Sequence, residues 1–278
     1  MRILIVIIVA ICGAASSLSA AQSPLAQAFQ NLRSNDPATV EKTKEGMLGA
    51  LHEEWPVIDK DAATICSALR DPDSYIRLQA AALLSGIALV EKQHAGVIQA
   101  CLPELLAEAR DAPTQTGMPD ILDNATQARN DALFALALNP AGTPPQAEPV
   151  FRDQLKSTNL RTTEMAAAGL LRLQGPDAAA NQKLVTDALE SAPDAKHRLN
   201  LLYAIRGSGT RSDVVFQATR QMVDDPDPDV QRASLDALVK SAPDQSQAVS
   251  ALQNLQGSPT ASAMTKKFAE AYLKNMGR

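Results

Sequence analysis

From Gln22 onward, apolar residues recur at helical spacing, and stretches rich in Pro, Asp, Ser or Gly interrupt them every ten to twenty residues. Sustained alternation of apolar and polar positions is absent, so the pattern predicts helices and no sheet. The blocks also resemble one another. Placed in register, Val40–Leu48, Ile76–Leu84, Ala128–Leu136, Thr162–Leu170, His197–Ile205, Val230–Leu238 and Met264–Tyr272 end in a column of large apolar residues separated by 36, 52, 34, 35, 33 and 34 positions. The column before it is mostly small, with Ala135, Gly169, Ala204, Ala237 and Ala271 against the exceptions Met47 and Leu83. Positions i, i+7 and i+8 lie on one helical face, where a small residue lets a neighbouring helix come close.

Between successive blocks lies a second helical segment, with cores such as AATICSAL, VIQACLPELL, PVFRDQL, KLVTDAL, VVFQATRQMV and AVSALQNL. Each period is then a pair of antiparallel helices that cannot bury its apolar faces alone and must stack on the next pair. The expected result is one all-α solenoid over residues 22–278 with a continuous core. Leu25, Ala28, Phe29 and Leu32 mark a helix before the first pair, and a lone helix with a charged side follows the last; both read as caps. The long period maps to an insertion at 110–124. A long connection in a regular array is a candidate contact loop, and Thr114, Met118, Ile121 and Leu122 are its candidate partner-contacting residues.

The pairs resemble HEAT repeats of the short HEAT-like kind, through an Asp-Pro entry, an apolar-Arg step and an alanine-rich helix. DPDSYIRLQAAALL is the clearest copy, in which Asp71, Pro72, Ile76, Arg77, Ala80, Leu83 and Leu84 match the pattern. Arg129 and Arg198 share the column of Arg77, whereas Glu41, Thr163, Gln231 and Thr265 hold it in the other copies. Tetratricopeptide and ankyrin repeats have a similar period, yet no copy carries their Trp-x-x-Leu-Gly-x-x-Tyr or Thr-Pro-Leu-His signatures. The resemblance implies a right-handed, armadillo-like α-α solenoid of about six HEAT-like helix pairs plus terminal capping helices. It further implies a curved surface that binds other macromolecules, usually proteins. A minority of HEAT-like proteins are enzymes or lyases acting on tetrapyrroles, so a small-molecule carrier or lyase with a site in the concave groove is the alternative.

The N-terminus changes the picture of where this surface works. Arg2, an apolar run from Ile3 to Cys12 and then a small, polar stretch form the layout of a secretory signal peptide over residues 1–21. Ser19 and Ala21 precede the expected cut, which makes the protein periplasmic or secreted. No later stretch approaches membrane-spanning length. Without residues 1–21, 25 basic residues face 31 acidic ones, a net charge of −6 that argues against a nucleic-acid partner. Aromatic residues make up only 3% of the chain, which leaves little for stacking on bases or sugars.

The chemistry-bearing residues are sparse. Asp225, Asp227, Asp229 and Asp236 match positions 1, 3, 5 and 12 of a calcium loop, but Val230 replaces the turn-making Gly and the loop runs into a helix. The repeat offers a simpler role. Asp73, Asp194 and Asp227 share one column three residues before the first apolar position, and Asn159 holds it in its own copy, so these residues are expected to cap helix N-termini. Asp177 and Asp244 are expected to start second helices the same way. His52, His94 and His197 have no ligand-pair spacing. Gly207–Thr210 reads as a turn, and Trp55 as packing. Cys66 and Cys101 lie on second helices of adjacent pairs, so a disulfide is geometrically conceivable; equivalent positions on stacked helices sit about 8–10 Å apart, beyond the usual disulfide reach, which favours two buried thiols without fixing the helix phase. The residues therefore point to no catalytic site, no cofactor and no metal, and to a protein or peptide partner.

Overall fold

The computed structural model describes residues 23–52, 58–90, 94–110 and 123–276, with side chains at all of these except 47–52, 58, 59 and 90. Numbered along the chain, α1 (Pro24–Asn31) precedes a first pair of α2 (Pro37–His52) and α3 (Ala62–Ala68). Next come α4 (Ser74–Val90) with α5 (Ala95–Ala100) and α6 (Leu102–Arg110), then α7 (Asn124–Ala137) with α8 (Glu148–Gln154). The last pairs are α9 (Leu160–Arg172) with α10 (Ala178–Glu190), α11 (Ala195–Ser208) with α12 (Asp213–Gln221), and α13 (Pro228–Ser241) with α14 (Gln245–Gly257); α15 (Ala263–Met276) closes the array. No strand occurs among the described residues. Each aligned block falls inside a first helix, and each second core falls on its partner.

The first helices form one layer, α4 on α7, α7 on α9, α9 on α11 and α11 on α13, and these meet along much of their length, whereas the closing α15 lies mainly against α14 and only lightly on α13. The second helices form the other layer and touch each other only lightly, α3 on α5, α6 on α8 and α10 on α12. The first-helix layer, the more closely packed of the two between α4 and α13, is termed the inner layer. Burial explains the layering: Ile76, Ala80, Leu83, Leu84 and Ile87 of α4 are all buried, and so are Val230, Ser234, Ala237 and Leu238 of α13. At Gly169 a Cβ would stand 2.5 Å from the Phe151 ring of α8, so that column is small because a second helix presses on it.

The last copy corrects the alignment. Thr265 and Ala269 are fully buried, whereas Met264 is 49% exposed and Ala271 is exposed. Leu273, not Tyr272, therefore corresponds to Leu238. The cap sets this register, because Ser262 accepts from the Thr265 N–H at 3.0 Å just as Asp227 accepts from the Val230 N–H at 3.2 Å. The core is also divided where one continuous core was expected. One apolar cluster runs from Leu25 to Ala237, and a second gathers Phe216, Leu235, Leu238, Leu252 and Ala269. Helix α13 contributes to both, and the buried hydroxyls of Thr219 and Ser241, 3.3 Å apart, belong to neither.

The capping expectation is met at most positions. Asp194 accepts from His197 N–H at 2.9 Å, Asn159 from Thr162 N–H at 3.0 Å, Asp244 from Gln247 N–H at 2.8 Å, and Asp73 from Tyr75 N–H at 2.9 Å. Asp177 stands before α10 without a side-chain cap bond, a departure from expectation. Pro228 opens α13 behind Asp227, where its missing N–H costs nothing. The four aspartates of the calcium-like stretch have different partners. Asp225 is buried against Arg198 at 2.7 Å, Asp227 caps, Asp229 meets Arg232 at 3.5 Å, and Asp236 meets Arg206 at 3.4 Å. Asp227→Ala is expected to cost about 1 kcal/mol in a urea melt, and added calcium to leave the wild-type melting temperature where it was. A calcium-induced rise that Asp227→Ala abolishes would restore the ion-site reading.

Cys66 and Cys101 form a disulfide with their Cα atoms 4.9 Å apart, which corrects the expectation of two free thiols. The 8–10 Å spacing applies to continuous helices, and this second helix is broken. Cys101 sits at the break between α5 and α6, with backbone angles of −94° and 12°. Pro103 explains the break: it lacks the N–H that would bond to the Gln99 carbonyl, and its ring crowds that carbonyl. The resulting corner carries Cys101 toward α3.

Candidate interaction surface

The first helices bury one side against the second helices and leave a stripe on the other. Measured from the column that is buried at Ala128, Thr162, Val230 and Thr265 and half-buried at His197, this stripe holds the position one before, then two, six and nine after, a spacing that stays on one helical side. Arg161 and Lys196 occupy the first of these positions, Arg232 and Lys267 the second, Phe134 and Tyr203 the third, and Arg206 and Lys274 the fourth. All six cations are exposed and the two rings are partly so. Arg161 lies 5.9 Å from the Phe134 ring centre and Arg206 lies 5.0 Å from that of Tyr203. Further along the layer, Lys44 of α2 lies 5.4 Å from the ring of Tyr75 on α4.

Arg161 also pairs with Glu164 at 2.9 Å, Arg206 with Asp236 and Arg232 with Asp229. Exposed pairs of this kind are worth roughly 0–1 kcal/mol each, so a partner can exchange them at little cost. Among the described residues no carboxylate pairs with Lys196, Lys267 or Lys274.

Asp131 is the titrating group of this region. Burial pushes its carboxyl up to about 6, with the Arg161 guanidinium pulling the other way. An acid whose folded-state value is raised adds stability that is present below about pH 4 and is lost as pH rises through about 6. Asp131→Asn is therefore expected to raise the urea midpoint at pH 7 more than at pH 4, and equal shifts at both would contradict it.

At the edge of the layer, the column of Arg77 does the same work with different residues. Arg77 Nη1 donates to the Asp71 carbonyl at 2.9 Å, Thr163 Oγ1 to the Ser157 carbonyl at 2.9 Å, and Gln231 Nε2 to the Asp225 carbonyl at 2.6 Å. Each pins the carbonyl six residues earlier, so each fixes the loop that enters its helix. Arg77 Nε then reaches Glu108 at 2.9 Å, and Gln231 Oε1 accepts from Ser262 at 3.1 Å. The column is a set of struts, which is why arginine need not recur in it. Beside Arg77 lies an open cleft of about 530 Å³, lined in part by Leu69, Arg70, Pro103, Glu104 and Ala107; Arg70 bonds to the Glu104 carboxylate across it.

Thr114, Met118, Ile121 and Leu122, together with the rest of residues 111–122 of the insertion and Trp55, lie outside the described residues. His197 bonds through Nδ1 to Asp194 at 2.9 Å and supports the start of α11. Gly209 takes a left-handed φ of 70° after α11, and Thr210 Oγ1 donates to the Leu171 carbonyl at 2.6 Å, so the expected turn also ties two repeats together. No helix among the described residues is long and apolar enough to cross a membrane. The cationic stripe is what sequence reasoning missed. Charge counted separately for first and second helices would have exposed it.

No protein-family model and no curated protein sequence matches the chain. Among solved structures, the chain is similar to the designed armadillo repeat protein YIII(Dq.V1)4CPAF in complex with the peptide (KR)4, at 15% identity and a TM-score of 0.53, over 78% of this chain and 99% of that one. An engineered protein of known crystal structure is similar at 19% identity and a TM-score of 0.46, over 78% and 96%. The first likeness agrees with the two layers of helices described above. The chain has the fold of the armadillo- and HEAT-type repeat solenoids.

Proposed function

We propose that the protein is an exported, non-catalytic scaffold or adaptor that holds a protein or peptide segment along the exposed stripe of its first helices. The observation that carries this reading is the stripe itself, in which exposed cations stand on each first helix from α9 to α15 and two of them lie over the rings of Phe134 and Tyr203. An extended partner can be gripped by such a ladder at one contact per repeat. The similar designed armadillo protein was solved with a peptide, which supports a peptide as the partner. The Cys66–Cys101 disulfide supports an oxidising compartment, periplasmic or extracellular, since such bonds persist there.

The test is selection of binders from a random-peptide library on the full chain lacking residues 1–21. Recovered peptides should lose at least tenfold in affinity against Phe134→Ala and Tyr203→Ala, each checked for an unchanged melting curve. Peptides that bind both variants as well as wild type, or no enrichment at all, would remove the reading.

A further inference from the structure

Charge is divided between the two layers from α9 to the C-terminus. The first helices α9, α11, α13 and α15 carry ten Lys or Arg against four Asp or Glu, while from Leu173 to Met276 the second helices and the loops carry three against nine. A chain of net charge −5 thus presents a positive inner layer on a negative body. Each first helix from α9 to α15 places at least one exposed cation on the stripe, Arg161, then Lys196 and Arg206, then Arg232, then Lys267 and Lys274, against three acids at stripe positions, Glu164, Asp229 and Asp236.

We infer that this stripe selects an acidic peptide segment, with carboxylates that step from one repeat to the next. This rests on the proposal above and narrows it. Packed helices lie about 8–10 Å apart. A peptide in polyproline II conformation rises 3.1 Å per residue with three residues per turn, so every third side chain returns to the same side after about 9 Å. A segment with Glu or Asp at every third position therefore matches the ladder in spacing as well as in sign. Nucleic acid fits less well, because only two rings lie among the cations, too few for a stacking platform. The (KR)4 peptide held by the designed armadillo protein has the opposite charge and is the natural control.

The experiment is a fluorescence anisotropy titration of the full chain lacking residues 1–21 with a labelled peptide of about twelve residues carrying Glu at every third position. The acidic peptide is expected to bind, more weakly as salt rises, and at least tenfold more tightly than (KR)4 or a peptide with Gln in place of Glu. Combined Lys196→Glu, Lys267→Glu and Lys274→Glu should weaken it at least tenfold. Lys183→Glu with Arg220→Glu, on second helices, should leave it within about twofold. Preference for (KR)4 that depends on Phe134 and Tyr203 would overturn the acidic inference while leaving a peptide-binding stripe. Indifference to the three lysine reversals, or displacement of the acidic peptide by single-stranded DNA at lower concentration than by unlabelled peptide, would also overturn it. Failure of all three peptides would overturn it too, and the library selection then tells whether the broader proposal falls with it.

Discussion

Phe151→Ala is expected to lower stability by about 3–5 kcal/mol, the largest loss from any single side chain considered. The ring is fully buried on α8 and stands over Gly169 of α9, where there is no side chain to fill the space it would leave. The converse change is informative as well. Gly169→Ala puts a Cβ 2.5 Å from the same ring, so overpacking should cost about 1–3 kcal/mol. Because the two positions touch, their effects should not add. Phe151→Leu combined with Gly169→Ala should be more stable than the sum of the single changes predicts. In a solenoid each repeat contacts only its neighbours, so hydrogen exchange should rise chiefly in α7–α10 and leave α13–α15 nearly unchanged. A loss below about 1 kcal/mol, or one spread evenly along the chain, would show that α8 does not pack on α9 as described.

Loss of the Cys66–Cys101 bond is the second large effect. It closes a loop spanning 35 residues, and the chain-entropy relation gives such a loop about 4 kcal/mol of stabilisation. Cys66→Ser with Cys101→Ser, or reduction of the wild type, should shift the urea midpoint correspondingly. The reductant should have no effect on the double variant, because Cys12 falls within residues 1–21 and no other thiol remains. An identical midpoint for oxidised and reduced wild type would show that the bond contributes nothing.

The repeat was legible in the sequence because burial enforces it. A helix that must cover its neighbours keeps small or apolar residues at i+4, i+7 and i+8, and the columns ending at Leu84, Leu136, Leu170, Ile205 and Leu238 hold that spacing whatever the loops do. Aspartate caps were legible for a related reason, since free N–H groups at a helix start need an acceptor at a fixed offset. The failures have equally local causes. In the last copy an apolar residue, Met264, was aligned in the core column when a threonine, Thr265, fills it; the cap Ser262 would have chosen correctly. The disulfide was missed because an ideal helix spacing was applied across a helix that Pro103 breaks. The stripe was hidden by the net charge, which sums a positive layer and a negative one. The strut role was not legible in the column of Arg77, because Arg77, Thr163 and Gln231 perform the same task through different donors.

The most direct test of the proposed role is site-specific photo-crosslinking in the native organism. A photoreactive phenylalanine analogue is placed at Tyr203, on the inner stripe, and separately at Lys183, exposed on the second-helix layer. Ultraviolet irradiation should join Tyr203-labelled protein to a discrete partner, identified by mass spectrometry, and give no such adduct from Lys183. Adducts from Lys183 alone, the same adduct from both positions, or none from either would contradict a scaffold that works through its first helices.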